Sequence, residues 1–416
     1  MRHQIMTALI ILSGFMLTSS AQDPVHLNDS IEKYRTGIIV VKTSPDAVVE
    51  LEQLRHEFRF GAAIANQVFD GSMDEKDAQM YKQKFLENFN SAVTENSLKW
   101  QVMERQKGMV NFKTTDNILA WTDENNIPLR GHNIYWGISN FVQEWVKELD
   151  NEQLYDELHT RARTIAARYK GRFVEYDLNN EMMHGDYYQE KLGPGITREM
   201  AEWIKEYDPG AKLYLNDYDI LTGRMLQEYV DHIKDLQERG VPIDGIGVQG
   251  HLHAEDFIRD TLWYALDVLS RFDLPILITE FNMPGQRSGY YRNRSLVPTR
   301  EDEEIKARNL VDYYRICFAH PAVDGILMWG FWEGAIWIPA SSLYKKDWTP
   351  TPAAKAYQSL LFDEWWSRFK GKSDDNGYCI IRAFYGSHKL KVNGFEKTVK
   401  LSKENGIAFI ESGTLK

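Results

Sequence analysis

The sequence predicts an α/β fold: a (β/α)8 barrel of the TIM type, with a short N-terminal extension and a small C-terminal β appendage. Three observations carry this. From about residue 58, eight short apolar runs alternate with eight helix-length amphipathic segments, the pattern of parallel β/α units. Eight such units argue for a closed barrel over an open doubly wound sheet, and 416 residues accommodate one large decorated barrel. No glycine-rich phosphate fingerprint follows the first run, which weakens the case for a dinucleotide-binding sheet.

The elements follow in chain order. Residues 1–21 read as a secretory signal peptide: Met1-Arg2-His3-Gln4, a mostly apolar run at 5–17, then Thr18-Ser19-Ser20-Ala21, with cleavage expected after Ala21. The run is shorter than the ~20 apolar residues of a membrane-spanning helix. A secreted or periplasmic protein is expected. Residues 22–57 form the extension, with one strand-like run at 37–42 expected over the barrel bottom or side. Residues 58–370 form the barrel. Its strands are expected at 58–64, 91–95, 128–136, 174–181, 212–219, 245–253, 275–282 and 325–331. Its helices are expected at 74–89, 114–126, 151–169, 197–208, 222–239, 258–272, 301–319 and 352–368. In 151–169, Leu154, Leu158, Ala162, Ile165, Ala166 and Tyr169 recur at helical spacing while charges fill the other face. After a polar break at 371–377, residues 371–416 alternate as strands at 378–384, 389–392, 397–401 and 407–410. Tyr385-Gly386-Ser387 and Asn393-Gly394 supply turns, and the Asn-Gly step is a strong hairpin signal. A segment this short is marginal alone, so it is expected to pack on the barrel.

Composition excludes several classes. Lys+Arg 49 against Asp+Glu 60 leaves a charge of −11, so no nucleic-acid partner is expected. Two cysteines are too few for a disulfide framework or a four-thiolate zinc site. Cys317 is expected on a helix and Cys379 on the appendage, and the sequence leaves their pairing open. No second long apolar span occurs, so no membrane insertion is expected. A monomer is expected. The 12 Trp, 21 Tyr and 19 Phe suit core packing, and also a site that stacks flat apolar faces such as those of sugar rings.

Barrels of this kind place their site at the C-terminal ends of the strands. Here those ends read Thr94-Glu95-Asn96, Gly131 to Trp136, Asn179-Asn180-Glu181, Asn216-Asp217-Tyr218, Gln249-Gly250-His251, Thr279-Glu280 and Trp329-Gly330. Glu181 ends the fourth strand and Glu280 the seventh, nearly across the barrel from each other. Glycoside cleavage needs such a pair: one acid protonates the leaving oxygen, the other attacks or stabilises the sugar carbon. Asn180 is placed to hydrogen-bond a sugar 2-hydroxyl, and Trp136 and Trp329 supply ring platforms.

These segments resemble glycoside hydrolase family 10, the retaining endo-β-1,4-xylanases. The resemblance rests on Val93 to Trp100 (with Val93 where the family has Thr), Arg130-Gly131-His132 ending at Trp136, and Asp177 to Glu181. It continues through Leu215 to Tyr218, Asp244 to Leu252, Ile278-Thr279-Glu280 and Met328-Trp329-Gly330. It spans about residues 55–365, and seven motifs in order are far more specific than any one. The resemblance implies Glu181 as acid/base and Glu280 as nucleophile, ~5–5.5 Å apart for a retaining reaction. It implies that Glu95, Asn96 and Lys99 hold the sugar two places to the non-reducing side. His132, Asn180, Gln249 and His251 would bind the sugar at the cleavage point, and Trp136, Trp329 and Trp337 would wall it. Asn216 and Tyr218 would face the leaving side. No cofactor and no metal are implied; the substrate is xylan or a xylo-oligosaccharide. Two further departures stand out: Gly137 where the family often has His, and Asn282 where it usually has an Asp that buttresses the strand-six histidine. Both read as branch variation.

Milder readings compete at several positions. The pair His251-Leu252-His253 has metal-site spacing, but no matching ligand set accompanies it. Arg287, Arg292, Arg294 and Arg300 in 283–300 fit an exposed salt-bridged loop better than substrate contact. Trp332 is placed in the cleft, Trp365-Trp366 in barrel packing, and His159 on a structural or surface face. The alternatives to a xylanase are another β-1,4-glycan hydrolase, such as a cellulase of mixed specificity, and a non-catalytic xylan-binding barrel.

Overall fold

In the computed structural model, which describes residues 24–252, 257–284 and 289–412, two strands precede the barrel: β1 (Thr36–Lys42) and β2 (Val48–His56). The barrel strands are β3 (Arg59–Ile64), β4 (Ser91–Thr94), β5 (Leu129–Gly131), β6 (Glu175–Asn180), β7 (Leu213–Asp217), β8 (Gly245–Val248), β9 (Ile276–Phe281) and β10 (Val323–Met328). They close in sequence order, with β10 pairing β3 in parallel. Most are buried on both faces, which is why they read as continuous apolar runs. Four of the charged residues on these strands, Arg59, Arg130, Glu175 and Asp177, pair with one another inside the barrel.

Helices follow the strands at Glu75–Asn88, Lys113–Glu124, Asn151–Arg168, Ile196–Tyr207, Leu226–Glu238, Arg259–Ser270, Arg300–Ala319 and Pro352–Ser359. Asp150 and Gln153 cap the third of these reciprocally, satisfying two otherwise orphaned backbone donors. The expected helix at 352–368 is shorter. It ends at Ser359, widens into one π turn at Leu360–Glu364, and there releases Trp365 to stack on Phe318 at 4.2 Å. The expected strand at 128–136 is also shorter: beyond Gly131 only Tyr135 bridges to its neighbour, at Asn179.

The last strands are β11 (Arg368–Lys372), β12 (Tyr378–Phe384), β13 (Gly386–Val392), β14 (Phe395–Leu401) and β15 (Ile407–Glu411). They pair with the N-terminal strands rather than with each other alone. One sheet has the order β12-β1-β15 and the other β11-β2-β13-β14. The segments 22–57 and 371–416, read apart in the sequence, thus share a core of their own, including Ile39, Val41, Val49, Leu51, Ile381, Leu390 and Leu401. Strand β2 is absent from the sequence reading, and β11 straddles its 370/371 boundary. Arg35 ties this unit to the barrel by donating to the carbonyls of Phe318, His320 and Val323. Cys317 and Cys379 are both buried and unpaired with each other. Among the described residues, no helix is long and apolar enough to cross a membrane. The expected signal peptide at 1–21 lies outside them.

Candidate active site

Glu280 closes β9 at the barrel mouth and is 4 % exposed. Each of its oxygens has a donor. Asn216 Nδ2 gives one hydrogen bond to Oε1 at 2.8 Å, and His251 Nε2 lies 3.1 Å from Oε2. Asn216 lies beside the Glu280 carboxylate: its amide also reaches Asn180 Oδ1 at 2.8 Å, and its Oδ1 accepts from Thr279. The Glu280 carboxylate, which can only accept, fixes which way the Asn216 amide points. Burial pushes the Glu280 carboxyl upward, while nearby His132 and Lys99 pull it back.

Glu181 follows β6 in a left-handed turn, φ 61°. Such a conformation costs a non-glycine residue free energy and is tolerated where surrounding contacts hold it. Here Gln249 Nε2 donates to Oε1 at 2.8 Å and Trp136 Nε1 to Oε2 at 3.0 Å. Burial lifts the Glu181 carboxyl above the usual range; the charges of Glu280 and Asp217 add to this, and the two donors oppose it. The site therefore has two acids with different partners: one held by an amide and an indole, the other by an amide and an imidazole.

The remaining expected residues line the same mouth. Lys99 Nζ donates to Asn96 Oδ1 at 2.9 Å and lies 4.8 Å over the Trp136 ring and 5.7 Å from the centre of Trp329. Burial raises the neighbouring Glu95 to about 6. His132 packs edge-on to Trp329 at 5.0 Å, and its Nδ1 sits 2.8 Å from Asp177. Asp177 is itself held by Arg130, so a charged network beneath the site orients His132. Trp136 stacks on Phe141 at 3.7 Å. Trp337 leans on His251, ring centres 5.3 Å apart.

Several positions come out differently from the sequence reading. Trp332, placed in the cleft, is buried, stacks on Trp348 at 4.4 Å and donates to the Lys345 carbonyl. Arg300, expected in the loop, instead opens the helix Arg300–Ala319 and pairs with Glu304 one turn along it. Arg294 instead sits 5.2 Å over Trp337 and has no carboxylate partner among the described residues. Arg287 and His253 lie outside the described residues. Among those described, no cluster of His, Cys, Asp or Glu has the makings of a metal site. The reason for Gly137 is steric: a Cβ there would stand 2.6 Å from Asp186 Oδ1. Asp186 is itself held by backbone donors and by Asn179. Two residues near Glu181 were missed as site residues. Asp217 is buried and His184 half-buried, and neither strand nor helix periodicity singles out a histidine on a short turn.

The site is thus a closed parallel barrel with two buried, differently held carboxylates and a lining of indoles and amides at its C-terminal mouth. Residues 51–360 match the profile of glycosyl hydrolase family 10, and the chain belongs to that family. It is 33 % identical over 378 residues to endo-1,4-beta-xylanase 1 of Arabidopsis thaliana, covering 88 % of this chain and 37 % of that protein. It is 32 % identical over 410 residues to the anti-sigma-I factor RsgI6 of Acetivibrio thermocellus, covering 96 % of this chain and 50 % of that one. The chain thus spans between a third and a half of the length of these relatives. The crystal structure of xylanase 10B from Thermotoga petrophila RKU-1 in complex with xylobiose superposes with a TM-score of 0.65 at 26 % identity, covering 74 % of this chain and 95 % of that one.

Proposed function

We propose that this protein is an exported, retaining endo-β-1,4-xylanase that acts as a monomer on internal bonds of xylan, with Glu181 as acid/base and Glu280 as nucleophile. The observation that carries the reading is the asymmetric holding of the two carboxylates. Asn216 and the strand-six histidine fix both oxygens of Glu280, as an in-line attack on a sugar carbon requires. Burial lifts the Glu181 carboxyl above its ordinary range, the direction a proton donor needs. Glu280 then attacks the anomeric carbon while Glu181 protonates the departing oxygen. Water, deprotonated by Glu181, next releases the sugar from Glu280. Xylan as substrate is supported by the xylanases among the relatives and by the xylobiose held in the Thermotoga petrophila enzyme. Export is supported by the signal-like residues 1–21.

The test is product analysis of residues 22–416 on xylan, glucomannan and carboxymethyl cellulose, with Glu280→Ala as control. Short xylo-oligosaccharides from xylan alone, absent in the control, are the expected result. Products mainly from a glucan would keep the mechanism and change the substrate. Binding to xylan without products would make this a binding barrel.

A further inference from the structure

The turn that carries Glu181 ends at His184, a residue with no part in the reading above. His184 Nδ1 lies 2.7 Å from Asp217 Oδ1, and its ring stacks on Tyr218 with centres 3.6 Å apart and planes 13° from parallel. Asp217 is buried and also accepts from the backbone N–H groups of Met183 and Tyr218. One carboxylate therefore ties the end of β7 to the turn behind Glu181. The imidazole itself is 19 % exposed, and its Nε2 meets no protein acceptor among the described residues. Tyr218 is one of the residues that the hydrolase reading puts on the leaving side. A flat His–Tyr pair with one unused ring nitrogen, beside the proton donor, is suited to a sugar ring and its hydroxyls.

We propose that His184 is a leaving-side binding residue: stacked on Tyr218 and held at Nδ1 by Asp217, it donates from Nε2 to the sugar that departs. This rests on the hydrolase reading above. Asp217 favours the doubly protonated ring, from which Nε2 donates. Burial works against a charge on His184, but the hydrogen bond and the negative charge of Asp217 outweigh it, and Glu181 and Asp219 add to the pull. From the helix Leu226–Glu238 packed against the turn, His232 also feels Asp217, and burial keeps that second imidazole on the neutral side.

The experiment compares two substrates in the full chain. Xylohexaose places sugars on both sides of the cleaved bond. An aryl xylobioside with a good leaving group places none on the leaving side. For His184→Ala, kcat/KM on xylohexaose is expected to fall at least about tenfold further than on the aryl xylobioside, the size of one hydrogen bond from a charged group. His184→Gln, which restores a neutral donor, is expected to recover part of that gap. In the unaltered enzyme the xylohexaose-to-aryl ratio is expected to decline as rising pH removes a proton from His184, and to be flat in His184→Gln. Equal losses on both substrates would overturn the proposal and leave His184 as a prop for the Glu181 turn. No loss on either would overturn it as well. If the unaltered enzyme turns over neither substrate, the hydrolase reading fails and this proposal with it.

Discussion

His251 stands between Asn282 and Glu280, its Nδ1 3.0 Å from Asn282 Oδ1 and its Nε2 3.1 Å from Glu280 Oε2. Burial pulls the imidazole down to about 4, so near neutrality it carries a single N–H. A neutral ring that donates to Glu280 through Nε2 must accept at Nδ1. Turning the Asn282 amide supplies that donor, and it employs a buried Nδ2 that otherwise has no partner among the described residues. A carboxylate at 282 cannot donate, and would hold the ring as a cation. Asn282→Asp is therefore expected to charge His251 and to lower Glu280. The acid limb of the kcat/KM profile should move down by about one pH unit. A profile identical to that of the unaltered enzyme would show that residue 282 does not govern the histidine.

Glu181→Gln removes the proton and keeps the shape. On xylan, whose leaving alcohol is poor, kcat is expected to fall about 10²–10⁴-fold, the usual worth of general acid catalysis. On aryl xylosides with good leaving groups the first step should fall far less. Rates across a series of aryl leaving groups make the check, and an equal loss throughout would remove Glu181 from the acid role.

Much of this was legible beforehand, for physical reasons. Barrel strands buried on both faces must be apolar throughout, so polar residues at their C-terminal ends, such as Glu280 after Ile276–Thr279, announce the site. Residues placed by tertiary contact left no such trace. Strand β2 mixes charge into its alternation at Glu50 and Glu52, and its partners lie more than 300 residues away in β11 and β13. Gly137 is small because Asp186 arrives from another loop. Trp332 sits in the same stretch as Trp329 and Trp337, and contacts distant from it in the stretch, the Trp348 ring and the Lys345 carbonyl, hold it inward.

His56 gives the fold a dependence on pH. It is buried among Phe60, Phe318, Phe384 and Trp366, and burial lowers it from 6.5 to about 4. Above pH 6.5 both folded and unfolded chains hold it neutral, and its contribution is constant. Between about 6.5 and 4 the unfolded chain takes up a proton that the folded one refuses, so stability falls as the pH falls. The full loss is about 3 kcal/mol, at roughly 1.4 kcal/mol per pH unit. Below about 4 the folded chain binds the proton as well, and the loss levels off. His56→Phe suits the aromatic surroundings and should lessen the fall of the unfolding free energy over that window, to which the buried His251 and His388 also contribute. Denaturant melts at pH 7, 5.5 and 4 decide it; an unchanged slope would assign the acid sensitivity to other groups.

The two-sheet unit makes the ends of the chain interdependent. Removing residues 371–416 takes away β12 to β15 and leaves β1 and β2 with their apolar faces, Ile39, Val41, Val49 and Leu51, open to water. Unpaired strand edges beside exposed apolar faces promote association between chains. The truncated protein is expected to aggregate, while the catalytic mouth, on strands that pair only among themselves, keeps its chemistry in whatever fraction stays soluble. A gentler change separates the two effects. Leu390→Ala, at a fully buried position of β13, should cost about 2–5 kcal/mol of unfolding free energy. It should leave kcat and KM on xylo-oligosaccharides within twofold. Equilibrium unfolding alongside steady-state kinetics tests both halves. A selective loss on insoluble xylan, with stability intact, would instead make the unit part of substrate capture.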